Sequence, residues 1–199
     1  MKALTFFICL TLGAFLLAFC TKEENSKPKL NNSGGSAVGK MSPAQQVEYG
    51  KYLVEIALCH DCHSPKVMTA EGPVPDRSRL LSGHPSDEKL PEISDKNILK
   101  GYILFSSGFT AAVGDWGTSF AGNLTPDDTG LGTWDLSRFE KALRHGKFKG
   151  LDNGRMLLPP MPWPQFSHLT DDDLAAIWAY LQTIPPVKNI VPAPRPPLM

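Results

Sequence analysis

The chain has no surplus charge of either sign: 20 Lys and Arg stand against 20 Asp and Glu in 199 residues. That balance removes the basic field by which proteins hold nucleic acid, and also the acidic excess of solvating disordered tails. Cysteine is scarce, with four in the whole sequence. Two of them, Cys9 and Cys20, belong to an N-terminal apolar run, so Cys59 and Cys62 have no second pair of soft ligands with which to close a structural zinc site. A thioredoxin-like pair is equally out of place, because it would open a helix within a βαβ pattern, and here the cysteines follow a helical stretch. Breakers of regular structure are plentiful instead. The 18 prolines and 17 glycines, with an ordinary 42% hydrophobic content, predict one loop-rich domain of short helices rather than a regular bundle.

What the sequence does have is Cys59-His60-Asp61-Cys62-His63. Two thiols three residues apart can each form a thioether to a haem vinyl group, and the histidine after the second thiol then lies under the iron as proximal ligand. The expected cofactor is therefore one covalent haem c. Cys59 and Cys62 bind it, and His63 holds the iron.

The N-terminus reads as an export signal, with a short charged start at Met1-Lys2 and an apolar stretch from Ala3 to Phe19. The run ends Leu17-Ala18-Phe19-Cys20, which resembles the lipobox of bacterial lipoprotein signals, although a residue smaller than Phe19 is usual before the cysteine. An uncleaved anchor helix is the competing reading, and the run is near the short end of what spans a bilayer. Lipidation of Cys20 is the reading adopted; either one tethers the domain to a membrane from outside, on the periplasmic side. Residues 1–19 are then signal, and 20–40 (TKEENSKPKLNNSGGSAVGK after Cys20) are a polar linker that cannot bury enough apolar surface to order itself. A flexible coil of this length has an end-to-end distance of roughly 25 Å. Residues 41–199 form the folded domain, and which membrane holds the anchor is left open.

Within the domain, Ser42-Pro43 predicts a helix start, and Tyr49, Tyr52, Leu53, Ile56 and Ala57 form its apolar stripe. Gly50 in mid-helix marks a close crossing by another helix. Residues 64–120 are broken by prolines, and only Asn97 to Phe105 has helical spacing. Asn123 to Gly130 has turn chemistry, and a helix capped by Asp135 runs through Leu136, Phe139 and Leu143 to Gly146. Met156 to Pro164 (MLLPPMPWP) is a stiff extended strap, since four prolines exclude helix. A final helix begins at Thr170 with Asp171, Asp172 and Asp173 in its first turn, buries Leu174, Ile177, Trp178 and Leu181, and gives way to a proline-rich tail expected to lie on the surface.

Whether the sixth iron position is filled decides between electron transfer and ligand chemistry. The residues offer Met161, clamped between Pro160 and Pro162, then Met156, and then His84, His145 and His168. CHDCH, NLTPDDTGLGTWDLSRFEKALRHG and LPPMPWPQFSHLTDDDLAAIWAYLQTIPPV, in that order, together resemble the mono-haem c-type cytochrome domain, particularly the domains repeated in the cytochrome subunit of membrane-bound alcohol dehydrogenases. The resemblance covers most of residues 43 to 191. It implies an all-α, small class I-like cytochrome c fold wrapped around the haem, with the first and last helices crossing near Gly50. It also implies His63 and Met161 as axial ligands. Those subunits carry three haem domains whereas this chain has one C-x-x-C-H, and the long irregular insertion after the motif exceeds a minimal cytochrome.

The expected function is electron transfer between a protein donor and acceptor, with no small-molecule substrate, by a carrier that belongs to a dehydrogenase or oxidase system rather than by an enzyme. The alternative is a haem-based gas sensor or a peroxidase-like enzyme with an open distal site. The lipobox reading yields a direct expectation: cells fed a labelled fatty acid incorporate label into the wild type and not into Cys20→Ser, and label persisting in the variant refutes lipidation there.

Overall fold

The computed structural model describes residues 41–198; the signal, Cys20 and the linker lie outside them. Among the described residues no helix is long and apolar enough to cross a membrane.

Helix α1, Pro43–Ile56, starts with a reciprocal cap. The Gln45 N–H donates to the Ser42 hydroxyl at 3.3 Å, and the Ser42 N–H donates to the Gln45 side chain at 2.9 Å, satisfying two amides that the helix cannot pair internally. The buried face consists of Gly50, Leu53 and Val54, with Tyr49 packed alongside. Tyr52 and Ile56, expected inside, are 56% and 55% exposed. The helix is rolled away from its apolar stripe because Gly50 must face the last helix. A Cβ at that position would collide with the carbonyl of Ala176, so the two backbones touch there. The partner is α5, Asp171–Leu181, which buries Leu174, Ala176, Ile177 and Leu181 and is capped by Thr170 and Asp173. The Tyr49 hydroxyl fastens the crossing by donating to Asp173 at 2.8 Å. Burial alone would raise the Asp173 carboxyl, but the hydrogen bonds from Thr170 and Tyr49 outweigh it and hold the group below the usual carboxylate range.

Helix α3, Leu136–His145, is capped by Asp135 as its sequence predicts, and ends at Gly146 with φ 61°. It contributes Phe139, whose ring lies 5.5 Å from that of Trp178. These side chains join Leu53, Val54, Leu81, Leu131 and the α5 residues in one core.

The all-α expectation is corrected by the stretch after the motif. There β1 (Lys66–Thr69) and β2 (Gly72–Pro75) form an antiparallel hairpin, and β3 (Leu104–Phe105), β4 (Ala111–Gly114) and β5 (Gly117–Phe120) form an antiparallel meander. The helix expected over Asn97 to Phe105 is a short 3₁₀ turn, Lys96–Leu99, followed by β3. Gly101, at φ 85°, breaks the turn, and Leu104 and Phe105 pair with Val113 and Ala112. Strand β4, Ala-Ala-Val-Gly, is buried along its whole length, so it has no alternation of apolar and polar residues to betray it.

Two further corrections concern the prolines. The strap is extended only to Leu158: the Met161 N–H donates to the Leu158 carbonyl at 3.3 Å and closes a turn over Pro159-Pro160, and Trp163–Phe166 form a single helical turn, α4, in which Pro164 lacks an N–H only where none is needed. The tail does not simply cover the surface: Asn189 is 8% exposed, and Arg195 exchanges two 3.0 Å backbone hydrogen bonds with Thr118, extending the meander at β5.

The crossing generates a stability prediction. Gly50→Ala forces α1 and α5 apart and costs roughly 1–3 kcal/mol, although alanine is the better helix former. Chemical denaturation measures it, with exposed Lys51→Ala as the near-neutral control.

Candidate functional site

Cys59–His63 form a single helical turn, α2, packed behind the end of α1. The chain enters it through Leu58 in the left-handed conformation, φ 57°, an uncommon state for a branched side chain. The C-terminal end of the turn is gripped by Lys66, whose ammonium donates to the carbonyls of His60 (3.0 Å), Asp61 (2.9 Å) and Ser64 (2.6 Å). A cation here satisfies carbonyls that a short helix leaves unpaired. Ser64 is fully buried and ties the turn to the following loop, its hydroxyl lying 2.9 Å from His60 Nδ1 and accepting the Leu81 N–H at 2.9 Å.

Both cysteines are free thiols, one helical turn apart. Burial pushes Cys59 up to about 11, and burial, with Asp61 adding to it, raises Cys62 as well. Near neutrality neither is a ready thiolate, which argues against a reactive dithiol pair. Among the described residues no group of three or more His, Cys, Asp and Glu side chains is gathered for a bare metal ion.

His63 faces the loop after β5. Its Nδ1 lies 2.7 Å from the Gly122 carbonyl; since a carbonyl only accepts, Nδ1 carries the proton and Nε2 keeps its lone pair. Burial lowers the imidazole pKa, with the Gly122 bond opposing it, so the ring is neutral at physiological pH. Among the described residues the ring's hydrogen bond runs through Nδ1 alone. A neutral imidazole oriented through Nδ1 with Nε2 available is the arrangement of a metal-binding histidine, and with Cys59 and Cys62 on the same turn these residues fit a covalently held haem.

The carbonyl that orients His63 is itself held. The Gly83 N–H donates to the His63 carbonyl at 2.7 Å, His84 N–H to Ala121 at 2.9 Å, and Ala121 N–H to Thr110 at 2.8 Å. Gly83 takes φ 79°, and a Cβ there would meet Ala121 and Gly122. The insertion therefore backs His63.

The strap is pinned twice near its start, ahead of Met161. The Ser119 hydroxyl of β5 donates to Pro159 O at 2.6 Å, and the Leu157 N–H donates to Gly146 at 2.6 Å. Met161 sits half-buried just before α4. Met156 pairs its backbone with Lys147 and lays its terminal methyl against Gly146. His84 is fully buried, its Nδ1 2.9 Å from the Thr110 hydroxyl and its ring tilted against Phe120 at 4.8 Å, while its Nε2 has no hydrogen-bond partner among the described residues. His145 and His168 are exposed. Sequence reasoning missed Lys66, Ser64, Gly122 and Ser119. Only Lys66 left a signal, a basic residue just past a helix end; the others work through contacts distant in sequence.

No family model matches the chain. It is similar to the gluconate 2-dehydrogenase cytochrome c subunit of Pantoea cypripedii, 40% identical over 83 residues that make up 41% of this chain and 18% of that one. The fructose dehydrogenase cytochrome subunit of Gluconobacter japonicus is 37% identical over 93 residues, 46% of this chain and 18% of the relative. A di-haem c-type cytochrome of Cereibacter sphaeroides is 33% identical over 84 residues, 42% and 27% of the two chains. The match thus spans less than a fifth of each dehydrogenase subunit. The relatives are cytochrome c proteins, in agreement with the resemblance carried by the three motifs.

Ser64 provides the local prediction. Ser64→Ala leaves the buried Leu81 N–H without its acceptor and lowers stability by roughly 1–3 kcal/mol; an unfolding curve that matches the wild type would show that the hydroxyl is not needed to hold the turn.

Proposed function

We propose that the chain is an exported, membrane-tethered c-type cytochrome that carries one haem c and passes electrons between protein partners. The observation that carries this reading is the pairing of Cys59 and Cys62 with His63 on one turn, the histidine being oriented by Gly122 at 2.7 Å. The single C-x-x-C-H motif limits covalent attachment to one haem. When bound, the haem supplies a one-electron ferric–ferrous couple. Cys59 and Cys62 hold it by thioether bonds, and His63 presents Nε2 to the iron.

Met161 is the sixth ligand in this reading. Its support is the double anchorage of the strap at Ser119 and Gly146, which restrains a weakly coordinating thioether, whereas Met156 is engaged in packing against Gly146. His84 is fully buried beside β4 and β5, with its Nδ1 bonded to Thr110 and its ring against Phe120. Histidine with methionine favours a relatively high reduction potential and a filled site, which suits electron transfer rather than binding of gases or peroxide. The similarity to dehydrogenase cytochrome subunits supports a dehydrogenase as electron donor, and Cys20 as a lipid anchor keeps the domain at the periplasmic face where such a partner works.

Acid-acetone extraction should leave the chromophore on the polypeptide, and haem recovered in the organic phase would end the proposal. Met161→Ala should abolish the weak red charge-transfer band of the oxidised protein, lower the reduction potential and admit carbon monoxide to the reduced form. Met156→Ala should leave all three unchanged; the reverse pattern transfers the role to Met156.

A further inference from the structure

The chain is neutral overall, but its charge is unevenly distributed. Between residues 138 and 155 stand Arg138, Lys141, Arg144, Lys147, Lys149 and Arg155 against only Glu140 and Asp152. Lys141 is paired with Asp152 at 2.7 Å, and Arg144 with Asp171. Among the described residues the other four cations form no salt bridge. Three of them lie against groups that leave their charge intact. Arg138 donates to Lys149 O at 2.7 Å and stacks on Trp134 at 4.7 Å; Arg155 donates to Met156 O at 2.8 Å and stacks on Phe148 at 3.8 Å, with the Lys149 ammonium 5.7 Å from the same ring. Lys149 takes φ 57°, a conformation few side chains adopt. The next residue, Gly150, is pressed so closely on Arg138 that it has no room for a Cβ. Guanidinium groups fixed in this way need little further ordering on binding.

The position of these cations gives them a use. Lys147 is bridged to Met156, so the basic turn forms the shoulder of the strap that carries Met161, and the strap itself, Met156 to Pro164, contains no Asp, Glu, Lys or Arg. We infer that Arg138, Lys147, Lys149 and Arg155 form the docking surface for an acidic face of the redox partner protein, seated beside the strap. The inference rests on the electron-carrier reading and adds to it the side of approach and the sign of the partner's charge. A partner held this way associates fast at low salt and releases as ionic strength rises past the point where the screening length falls to about 10 Å, near 0.1 M.

A gold electrode bearing a carboxylate-terminated alkanethiol monolayer stands in for the acidic face. The haem-loaded wild type should adsorb at low ionic strength, show a redox wave and desorb as salt is added. Lys147→Glu/Lys149→Glu/Arg155→Glu should lose about tenfold or more of the adsorbed wave at low salt, with an unchanged haem spectrum reporting its fold. If that variant does not fold, Lys147→Gln/Lys149→Gln should show a smaller loss of the same kind. Lys96→Glu/Lys100→Glu/Lys188→Glu, with the same change of net charge on other segments, should retain the wave. Equal losses in both triple variants would mean that net charge alone acts, and an unaffected Lys147/Lys149/Arg155 variant would mean that another face docks; either result overturns the inference. So does wild-type sedimentation with phosphatidylglycerol vesicles without adsorption to the monolayer, which would assign the surface to lipid. A wild type with no covalent haem refutes the carrier reading itself and is distinct from all of these.

Discussion

The hydrogen bond from His63 Nδ1 to the Gly122 carbonyl, 2.7 Å long, is the interaction on which the rest of the structure depends. It decides which imidazole nitrogen carries the proton and fixes the plane of the ring. One acceptor can do this only if its own loop is rigid, and three backbone hydrogen bonds from distant segments, at Gly83, His84 and Ala121, make it so. The tail adds a lock from outside. Asn189 Nδ2 donates to the carbonyls of Ser82 (2.7 Å) and His84 (2.9 Å), and its Oδ1 accepts the Ser86 N–H at 3.1 Å. All the hydrogen-bonding groups of that buried amide are thus spent on the loop backing His63.

The same logic explains the long insertion between the cysteine motif and α3. It reads as an irregular addition, yet its meander connects the two flanks of the site: β5 leads into Gly122 at one end, and its Ser119 hydroxyl grips Pro159 of the strap at 2.6 Å. The loop that orients His63 and the strap therefore both rest on β5, whose outer side is closed by Arg195.

The helical part is organised by the contact of Gly50 with Ala176. Backbone contact between α1 and α5 excludes side chains at the crossing and sets the roll of α1, which explains why Tyr52 and Ile56 face outward although they lie on the predicted stripe. The similarity to dehydrogenase cytochrome subunits covers less than half of this chain.

Much of this was legible in the sequence, for local reasons. The cysteine–histidine motif, the caps at Ser42, Asp135 and Thr170, the stop at Gly146 and the crossing at Gly50 each act within a few residues of themselves, so residue type and spacing suffice. The turn chemistry of Asn123 to Gly130 was legible in the same way: Asn123 and Asp127 each accept the N–H and hydroxyl of the threonine two residues on. What only the tertiary structure decided is the meander, the roll of α1, the burial of Asn189 and the choice of Gly122 as partner for His63. Each depends on segments far apart in the chain meeting at a particular distance. Ala111–Gly114 becomes a strand because both its neighbours are strands, and a backbone carbonyl, which every residue possesses, carries no mark in the sequence until folding brings a histidine within 2.7 Å of it.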